Sequence, residues 1–352
     1  MAATEAPAAP PATRGALGVR IEHALRPWRR ANRTARWLVI IGMVITLAFA
    51  VLAIAPDAIA PFAEDDYCIA TGEVVGGNPV YESIPRRVPP GEGHPFGTTS
   101  ASFDVFSRVV HGAQVAFAIV VLSTVLAMGI GVPLGLYSGY RGGRVDRLLV
   151  TFMDAVYVFP PLLLAIIVAF MLKRYFDPGL AACAVSVGVV YIPQYYRVIR
   201  NHTLSVREEP FVEAARSLGA KPRTIIGRYV FFNVVQSVPV IFTLNAADAV
   251  LTLAALGFLG YGVPYPEAEW GLDVSRAIDD AVSGTWWTAF FPGLAIMVLV
   301  TGLTLVGEGL NDIVNPLLRV RGYRGRVRSR TEPTAEATLE APTGRPAPEA
   351  QG

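Results

Sequence analysis

Residues 113–135, with the sequence AQVAFAIVVLSTVLAMGIGVPLG, decide the fold class because they contain no charged side chain. An α-helix rises 1.5 Å per residue, so about 20 apolar residues cross the roughly 30 Å of hydrocarbon in a bilayer. Backbone amides inside lipid must be paired within a helix or a closed barrel, and the alternating pattern of barrel strands does not occur here. The stretch therefore predicts a membrane-spanning helix.

Five further apolar stretches of similar length flank this one. The chain of 352 residues is 53% hydrophobic and 16% charged, whereas a soluble domain carries about 25% charged residues. This composition argues against a soluble enzyme, and we expect an all-α membrane protein with about six transmembrane helices. The predicted spans are residues 37–55, 113–135, 148–172, 179–199, 230–260 and 286–306.

The segments around these spans define the predicted organisation of the chain. Residues 1–34 and 320–352 are rich in Ala, Pro, Arg or Glu and poor in large apolar side chains, which predicts disordered tails. The sequence AIA at residues 53–55 resembles a signal-peptidase site, but the apolar run before it is too long for a cleaved leader. We expect an uncleaved anchor at 35–61, an outer loop at 62–106 and a transmembrane core at 107–319 that contains a loop at 200–228.

Arginines near the spans predict the orientation, because cytosolic loops carry an excess of Lys and Arg. With six spans, the Arg-rich N-tail, the loop after the second span, residues 200–228 and the start of the C-tail all lie on one side. The opposite segments, residues 62–106 and 261–285, are comparatively acidic. Both termini are therefore predicted to be cytosolic. The net charge of only +2 gives no support for a nucleic-acid partner, and membrane lipid is the expected surroundings.

The loop at residues 200–228 has a helical pattern of its own. Ser205 and Glu208 fit a capping box, Gly219 suits a left-handed residue that ends a helix, and Pro222 can open the next one. These features predict a helix-turn-helix, whose first helix has the apolar positions Phe211, Ala215 and Leu218.

Two interpretations of this helix pair are open from the pattern alone. An Arg-rich amphipathic segment can rest on lipid headgroups. Alternatively, the pair docks a cytosolic partner, with the small Ala214 and Ala215 allowing close approach and Glu213 available for a charged or hydrogen-bonded contact.

Residues 213–220, EAARSLGA, resemble the EAA loop of ABC importer permeases, which in that family fits a cleft on the ATP-binding subunit. The resemblance extends from about His94 to Arg319 and is closest to the second permease of dipeptide, oligopeptide and nickel importers. Further segments that resemble the family are HPFGT at 94–98, LGLYSGY at 134–140, FLGYGV at 258–263, FPGLAI at 291–296 and GEGLND at 307–312.

This resemblance implies a type I ABC importer permease fold and the import of di- or oligopeptides by alternating access. It also implies three kinds of partner: a second permease that forms a heterodimer, two ATP-binding subunits that dock on residues 200–228, and an extracytoplasmic substrate-binding protein. No cofactor is expected on this chain, because a partner subunit hydrolyses ATP. The residues implied in ATPase coupling are Phe211, Glu213, Ala214, Ala215, Leu218 and Gly219.

The residues themselves agree that this chain is not an ATPase. A P-loop needs Gly-Lys-Ser/Thr, whereas Lys173 follows Leu172 and Lys221 follows Ala220. No enzymatic activity is predicted, and the histidines show no metal-ligand spacing, so no metal site is predicted either.

Two acidic residues within the predicted spans are candidates for the translocation path. An ionised carboxylate in the bilayer costs several kcal/mol unless it is paired or hydrated, so Asp154 and Asp248 are functional candidates. Asp154 lies near the cytosolic end and can equally be a structural group bonded to backbone or arginine. Asp248 is deeper and can contact a cationic group of the substrate, or serve packing or a partner subunit.

Glycine and tryptophan patterns give two predictions about packing. The spacing of Gly131, Gly135 and Gly139 predicts close approach of another helix backbone. The tryptophans at 270, 286 and 287 are expected to anchor the outer membrane interface.

Other functions remain as alternatives. A stand-alone channel or secondary carrier would need an inverted repeat or a pore-lining charge pattern, and neither is seen in the sequence. An intramembrane hydrolase would need paired catalytic groups at one depth, which the sequence does not offer. An importer of nickel or another small solute is the alternative within the same family.

Overall fold

The structure of the protein is a computed structural model that describes residues 32–75, 78–172 and 179–314. Residues Ala31–Asn311 form one compact unit. The predicted tails at 1–34 and 320–352 lie outside the described residues, except that the first helix already begins at Arg33.

The described chain is built almost entirely of helices. They are α1 (Arg33–Ile54), α2 (Pro56–Ile59), α3 (Val105–Arg141), α4 (Gly143–Val158), α5 (Pro161–Leu172), α6 (Leu180–Arg207), α7 (Pro210–Ser217), α8 (Pro222–Thr224), α9 (Phe231–Val234), α10 (Val238–Phe258), α11 (Trp270–Val282) and α12 (Trp287–Val314). A π-helical segment (Ile225–Val230) joins α8 to α9, and a 3₁₀ turn (Val235–Ser237) joins α9 to α10. Strands β1 (Cys68–Val75) and β2 (Asn78–Ser83) pair as an antiparallel hairpin within the predicted outer loop.

Long apolar helices confirm the membrane class. In the described ranges, four helical segments are long and apolar enough to cross a membrane: Arg33–Ile54, Val105–Arg141, Pro222–Phe258 and Trp287–Ile313. A fifth arises if α4 and α5, which meet at an angle of 96°, form one broken span. The predicted span at 179–199 lies within α6, which is helical but too polar to qualify. Because α6 packs against α3, α4 and α5, it does not need an apolar surface all round.

Helices α3 and α6 form the centre of the bundle, and glycines set their distance. A Cβ on Gly131 would lie 2.7 Å from Tyr195 Cβ, and one on Gly135 would lie 2.7 Å from Tyr196 O. One on Gly139 would lie 2.8 Å from Arg200 O. The predicted close approach at these three glycines is thus confirmed, and the facing segment runs along α6.

The sharp bend between α4 and α5 follows from proline. Phe159 has an extended backbone with ψ of 136°, as expected for a residue before proline, and Pro161 starts the next helix. The single apolar run predicted at 148–172 is therefore two helices in different directions.

At the hairpin end of the bundle, a buried arginine fixes the start of α3. Arg108 is 3% exposed, and its Nη2 lies 2.7 Å from Asp273 Oδ1 on α11. Its Nη1 donates to the backbone oxygens of Glu64 and Pro266. These bonds satisfy the buried guanidinium and join three separate segments of the chain.

The tryptophan prediction is wrong at two of three positions. Trp270 and Trp287 are buried, and their Nε1 atoms donate to Val109 O and Thr98 O. Only Trp286, which is 56% exposed, has the surface position of an interface anchor. The Trp270 indole packs against Phe49 of α1 and Gly112 of α3, whereas the Trp287 indole packs against the loop at Gly97. In both cases the buried N–H group finds a backbone acceptor.

Candidate functional site

Helix α7 begins later than the sequence suggests. The predicted capping box is wrong, because α6 continues to Arg207 and Ser205 Oγ donates to Asn201 O within that helix. Helix α7 starts at Pro210, after Glu209 with an extended ψ of 143°. Proline lacks an N–H and disfavours helical geometry in the residue before it, so the break between the helices falls at Glu209.

The turn after α7 matches the prediction. Gly219 has a φ of 77°, its N–H donates to Arg216 O, and the Ala220 N–H donates to Ala215 O. This pair of bonds is the Schellman arrangement that ends a helix with a left-handed residue. Pro222 then opens α8, as predicted.

Two sides of α7 have different surroundings. Val212 and Ala215 are buried against the bundle, whereas Phe211 is 40% exposed and Leu218 is 89% exposed. Glu213 and Ala214 are also exposed. We call Phe211, Glu213, Ala214 and Leu218 the α7 surface.

This arrangement divides the predicted coupling residues into two groups. The α7 surface points away from the bundle, and its exposed phenyl and leucyl groups are typical of an interaction site. Ala215 instead anchors the helix, and Gly219 shapes the exposed turn.

A network of polar side chains joins α3, α4 and α6, the helix that leads into α7. Arg200 donates to both carboxylate oxygens of Asp146, at 2.6 and 2.7 Å. The Ser138 hydroxyl bonds to Asp146 and lies 2.7 Å from the Tyr196 hydroxyl. Because α3, α4 and α6 each contribute, the network holds their ends as one rigid platform.

Sequence reasoning missed this platform. It counted Arg200 only as a loop charge, and its partner Asp146 lies 54 residues earlier in the chain. The nearest signal in the sequence was the LGLYSGY segment at 134–140, which resembles the family and contains Ser138 of the network.

Asp154 has a charged partner. Its Oδ1 lies 2.7 Å from Arg197 Nη2, both side chains are about half exposed, and the Arg197 guanidinium lies 4.2 Å from the Tyr157 ring centroid. This contact agrees with the alternative that Asp154 is a structural group bonded to an arginine.

Asp248 has different surroundings. It lies on the exposed side of α10, in a stripe with Leu244 and Leu251. Within the described residues, no side chain forms a hydrogen bond or ion pair with its carboxylate. The two acidic candidates therefore share no hydrogen-bond or ion-pair partner among the described residues.

The profile of the family described as "Binding-protein-dependent transport system inner membrane component" matches residues 131–320. This chain belongs to that family. The chain is thus a multi-pass membrane protein. Its family is a transport family and not a class of enzymes. The match begins at Gly131 in α3 and includes the platform, α7 and α10.

Curated relatives of this membrane component are transport permeases by name. The dipeptide transport system permease protein DppC of Alkalihalophilus pseudofirmus is 32% identical over 298 residues, which cover 84% of this chain and 92% of the relative. The glutathione transport system permease protein GsiD of Pectobacterium atrosepticum is 35% identical over 230 residues, which cover 65% and 75%. A chain of an inward-facing MetNI methionine ABC transporter aligns with a TM-score of 0.47 at 20% identity, over 59% of this chain and 94% of that one. That last similarity adds nothing to the family assignment.

A buried glutamate caps the start of α11 at the hairpin end of the bundle. Glu269 is 2% exposed, and its two carboxylate oxygens accept the N–H groups of Gly271 and Leu272 at the start of α11. A Cβ on Gly257 would overlap its carboxylate, so glycine is required where α10 approaches it. Burial raises the pKa of Glu269 to about 7, although the two backbone N–H groups oppose this shift.

We expect the stability of the protein to fall as pH rises from about 5 to about 7. The unfolded glutamate titrates near 4.5 and the folded one near 7, so the unfolded state binds fewer protons in this interval. The loss is on the order of 3 kcal/mol and ends above the folded pKa. Thermal unfolding in detergent, followed by tryptophan fluorescence between pH 4.5 and 8, measures it.

The matched variants are Glu269→Gln and Glu92→Gln, the latter at an exposed position of the predicted outer loop. The first should lose most of this pH dependence, and the second should keep it. An unchanged pH profile in Glu269→Gln would show that other groups cause the dependence.

Proposed function

We propose that this chain is the membrane-spanning permease subunit of an ATP-driven importer that carries di- or oligopeptides across the cytoplasmic membrane. The observation that carries the proposal is the exposed α7 surface, held on a rigid platform inside the region that matches the transport family. The peptide cargo is supported by the relatives, one named for dipeptides and one for glutathione, itself a tripeptide. The family assignment does not favour a stand-alone channel or carrier.

The α7 surface is the proposed docking element for two ATP-binding subunits, which engage residues 200–228 of this chain and the equivalent part of a second permease. The partner ATPase supplies the energy, and this chain binds no cofactor in the proposal. A rigid-body movement of the ATPase pushes α7, and the platform passes that movement to α3, α4 and α6. The spans then open the pathway alternately to each side.

The proposed orientation places α7 and both termini in the cytosol. It rests on the arginines of residues 200–228 and of the segments next to the termini. The hairpin and α11 then lie on the extracytoplasmic side, where a substrate-binding protein delivers peptide.

Asp248 is the proposed contact on the translocation path. An exposed carboxylate on an apolar span is costly against lipid, by about 2.5–3.5 kcal/mol on insertion scales. The stripe that includes Leu244 and Leu251 is therefore better covered by a second permease, which forms the heterodimer, with water or substrate beside Asp248. Asp154 is a weaker candidate for the translocation path, because its carboxylate is already paired with Arg197.

Affinity purification of the tagged full-length chain from its own host in mild detergent tests the proposal. We expect a P-loop ATPase and a second permease to co-purify. A homo-oligomer without an ATPase would contradict the proposal and favour a channel or carrier.

The same host, with the chromosomal copy deleted, allows an uptake assay with radiolabelled dipeptide. Asp248→Asn should reduce uptake at least tenfold, since a contact to a charged group is worth about 1.5–3 kcal/mol. Asp279→Asn, at an exposed position of α11, is the control and should retain uptake. Normal uptake by Asp248→Asn with both partners still captured would remove Asp248 from the path without affecting the proposed function.

A further inference from the structure

An apolar groove runs between the antiparallel helices α10 and α12, towards the hairpin end of the bundle. The two helices are in contact at Leu244 and Gly307, where a Cβ on the glycine would lie 2.8 Å from Leu244 Cδ2. Beyond this contact, from Leu251 to the end of α10 at Phe258, a space of about 820 Å³ opens between them. We call this space the α10–α12 groove, and its apolar walls are formed by Leu251, Ala254, Phe258, Ile296, Met297 and Val300.

The α10–α12 groove has the dimensions of a small peptide. An α-helix rises 1.5 Å per residue, so the stretch of α10 from Leu251 to Phe258 is about 10 Å long. An extended dipeptide spans about 7 Å. The volume of the groove also lies within the range of about 300–1,000 Å³ that is usual for ligand pockets. A dipeptide or tripeptide therefore fits along it.

The lining of the groove selects for apolar groups. Among the described residues that line it, Thr301 is the only one with a polar side chain, and its hydroxyl already donates to Met297 O within α12. A polar group of a ligand would lose its hydration there without gaining a hydrogen bond from a side chain. An aliphatic or aromatic side chain has no such cost and gains from burial.

One end of the groove carries a negative charge. Asp248 lies one helical turn before Leu251 on the same exposed side of α10, between the groove and the contact of Leu244 with Gly307. A ligand with a cationic end and an apolar body complements this arrangement. A lipid acyl chain is apolar throughout, so along the groove its end would meet the carboxylate without a favourable contact.

We propose that the α10–α12 groove holds the apolar side chain of a transported peptide whose amino-terminal ammonium group lies at Asp248. This inference rests on the proposed function and adds a substrate preference to it. The favoured cargo consists of small peptides with large apolar side chains.

The proposed second permease closes the open side of the groove without filling it. Its first contacts are with the side chains that project furthest, Leu251 on α10 and Met297 on α12, which are 48% and 58% exposed. Ala254 and Gly293 are only partly exposed and lie between these two ridges. A partner helix resting on the ridges leaves the space above Ala254 and Gly293 for a side chain of the peptide.

Gly293 provides a substitution that fills the groove. It lines the groove, and a Cβ there would meet nothing within 4 Å, so a leucine side chain can enter the space without a clash. The test variant is Gly293→Leu. The control is Gly129→Leu, the same change at an exposed position of α3 outside the groove, where a Cβ also meets nothing within 4 Å.

The experiment measures uptake of radiolabelled leucyl-leucine and glycyl-glycine in the host that lacks the chromosomal copy and carries each variant. All strains keep the same substrate-binding protein, so a change in the ratio of the two uptake rates belongs to this chain. Gly293→Leu should lower the ratio of leucyl-leucine to glycyl-glycine uptake at least tenfold, since an apolar pocket discriminates by about tenfold or more for each methylene group. Gly129→Leu should stay within about twofold of the wild type. If Gly293→Leu does not insert in normal amounts, Ala254→Leu replaces it with the same expected result.

The outcomes separate this inference from the proposed function. An unchanged ratio with uptake retained would overturn the role of the groove and assign the space to lipid or to the second permease, while the peptide importer would stand. An equal loss of both dipeptides would show a general transport defect and would also contradict the groove. Wild-type uptake of both dipeptides no higher than in the deletion strain would contradict the proposed function itself.

Discussion

The Glu213→Lys variant is expected to lose ATPase capture and peptide uptake while inserting into the membrane in normal amounts. Glu213 is exposed in the first turn of α7, and its carboxylate has no ion pair among the described residues. Charge reversal there replaces an attraction across the proposed interface by a repulsion that costs several kcal/mol, which corresponds to more than a 100-fold loss of affinity. The cost to α7 itself is below about 1 kcal/mol, because only the favourable acidic charge at the helix N-terminus is lost.

The measurement is the amount of ATPase that co-purifies with equal amounts of tagged permease. Glu92→Lys makes the same charge change at an exposed residue of the predicted outer loop and should leave capture intact. Full capture and uptake by Glu213→Lys would exclude α7 as the docking element, whereas reduced insertion would point to a folding defect.

The Gly135→Leu variant should fail to fold, and little monodisperse protein should be recovered. Gly135 faces the backbone of α6, where even a Cβ would lie 2.7 Å from Tyr196 O and 3.1 Å from Arg200 N. Backbone atoms cannot move aside as a flexible side chain can, so α3 and α6 must separate. Overpacking in a core typically costs about 1–3 kcal/mol, and separation of two central helices costs more.

Gly129→Leu is the matched control on the same helix. Gly129 is exposed, and a Cβ there would meet nothing within 4 Å. Fluorescence-detected size-exclusion chromatography of both variants compares their yields. Similar profiles for the two variants would contradict the role of the glycines in holding α3 against α6.

Local patterns were predicted well where only neighbouring residues decide the outcome. Gly219 ends α7 and Pro222 opens α8 because backbone freedom and the lack of an N–H act within one turn. The capping box at Ser205 was wrong because a competing local rule, the break before Pro210, was stronger. The spacing of Phe211, Ala215 and Leu218 places them on one side of the helix, but it does not tell which of them the bundle covers, and only Ala215 is buried.

By itself, the sequence determined the membrane class, the positions of most spans, the glycine contact surface of α3 and the helix pair at 200–228. Each follows from hydropathy or backbone geometry, which are properties of contiguous residues. Tertiary structure alone decided that Arg200 holds Asp146, that Arg108 meets Asp273, and that two tryptophans are buried. Those contacts join residues that are tens to more than a hundred positions apart, and only packing of the helices selects one partner among many similar side chains.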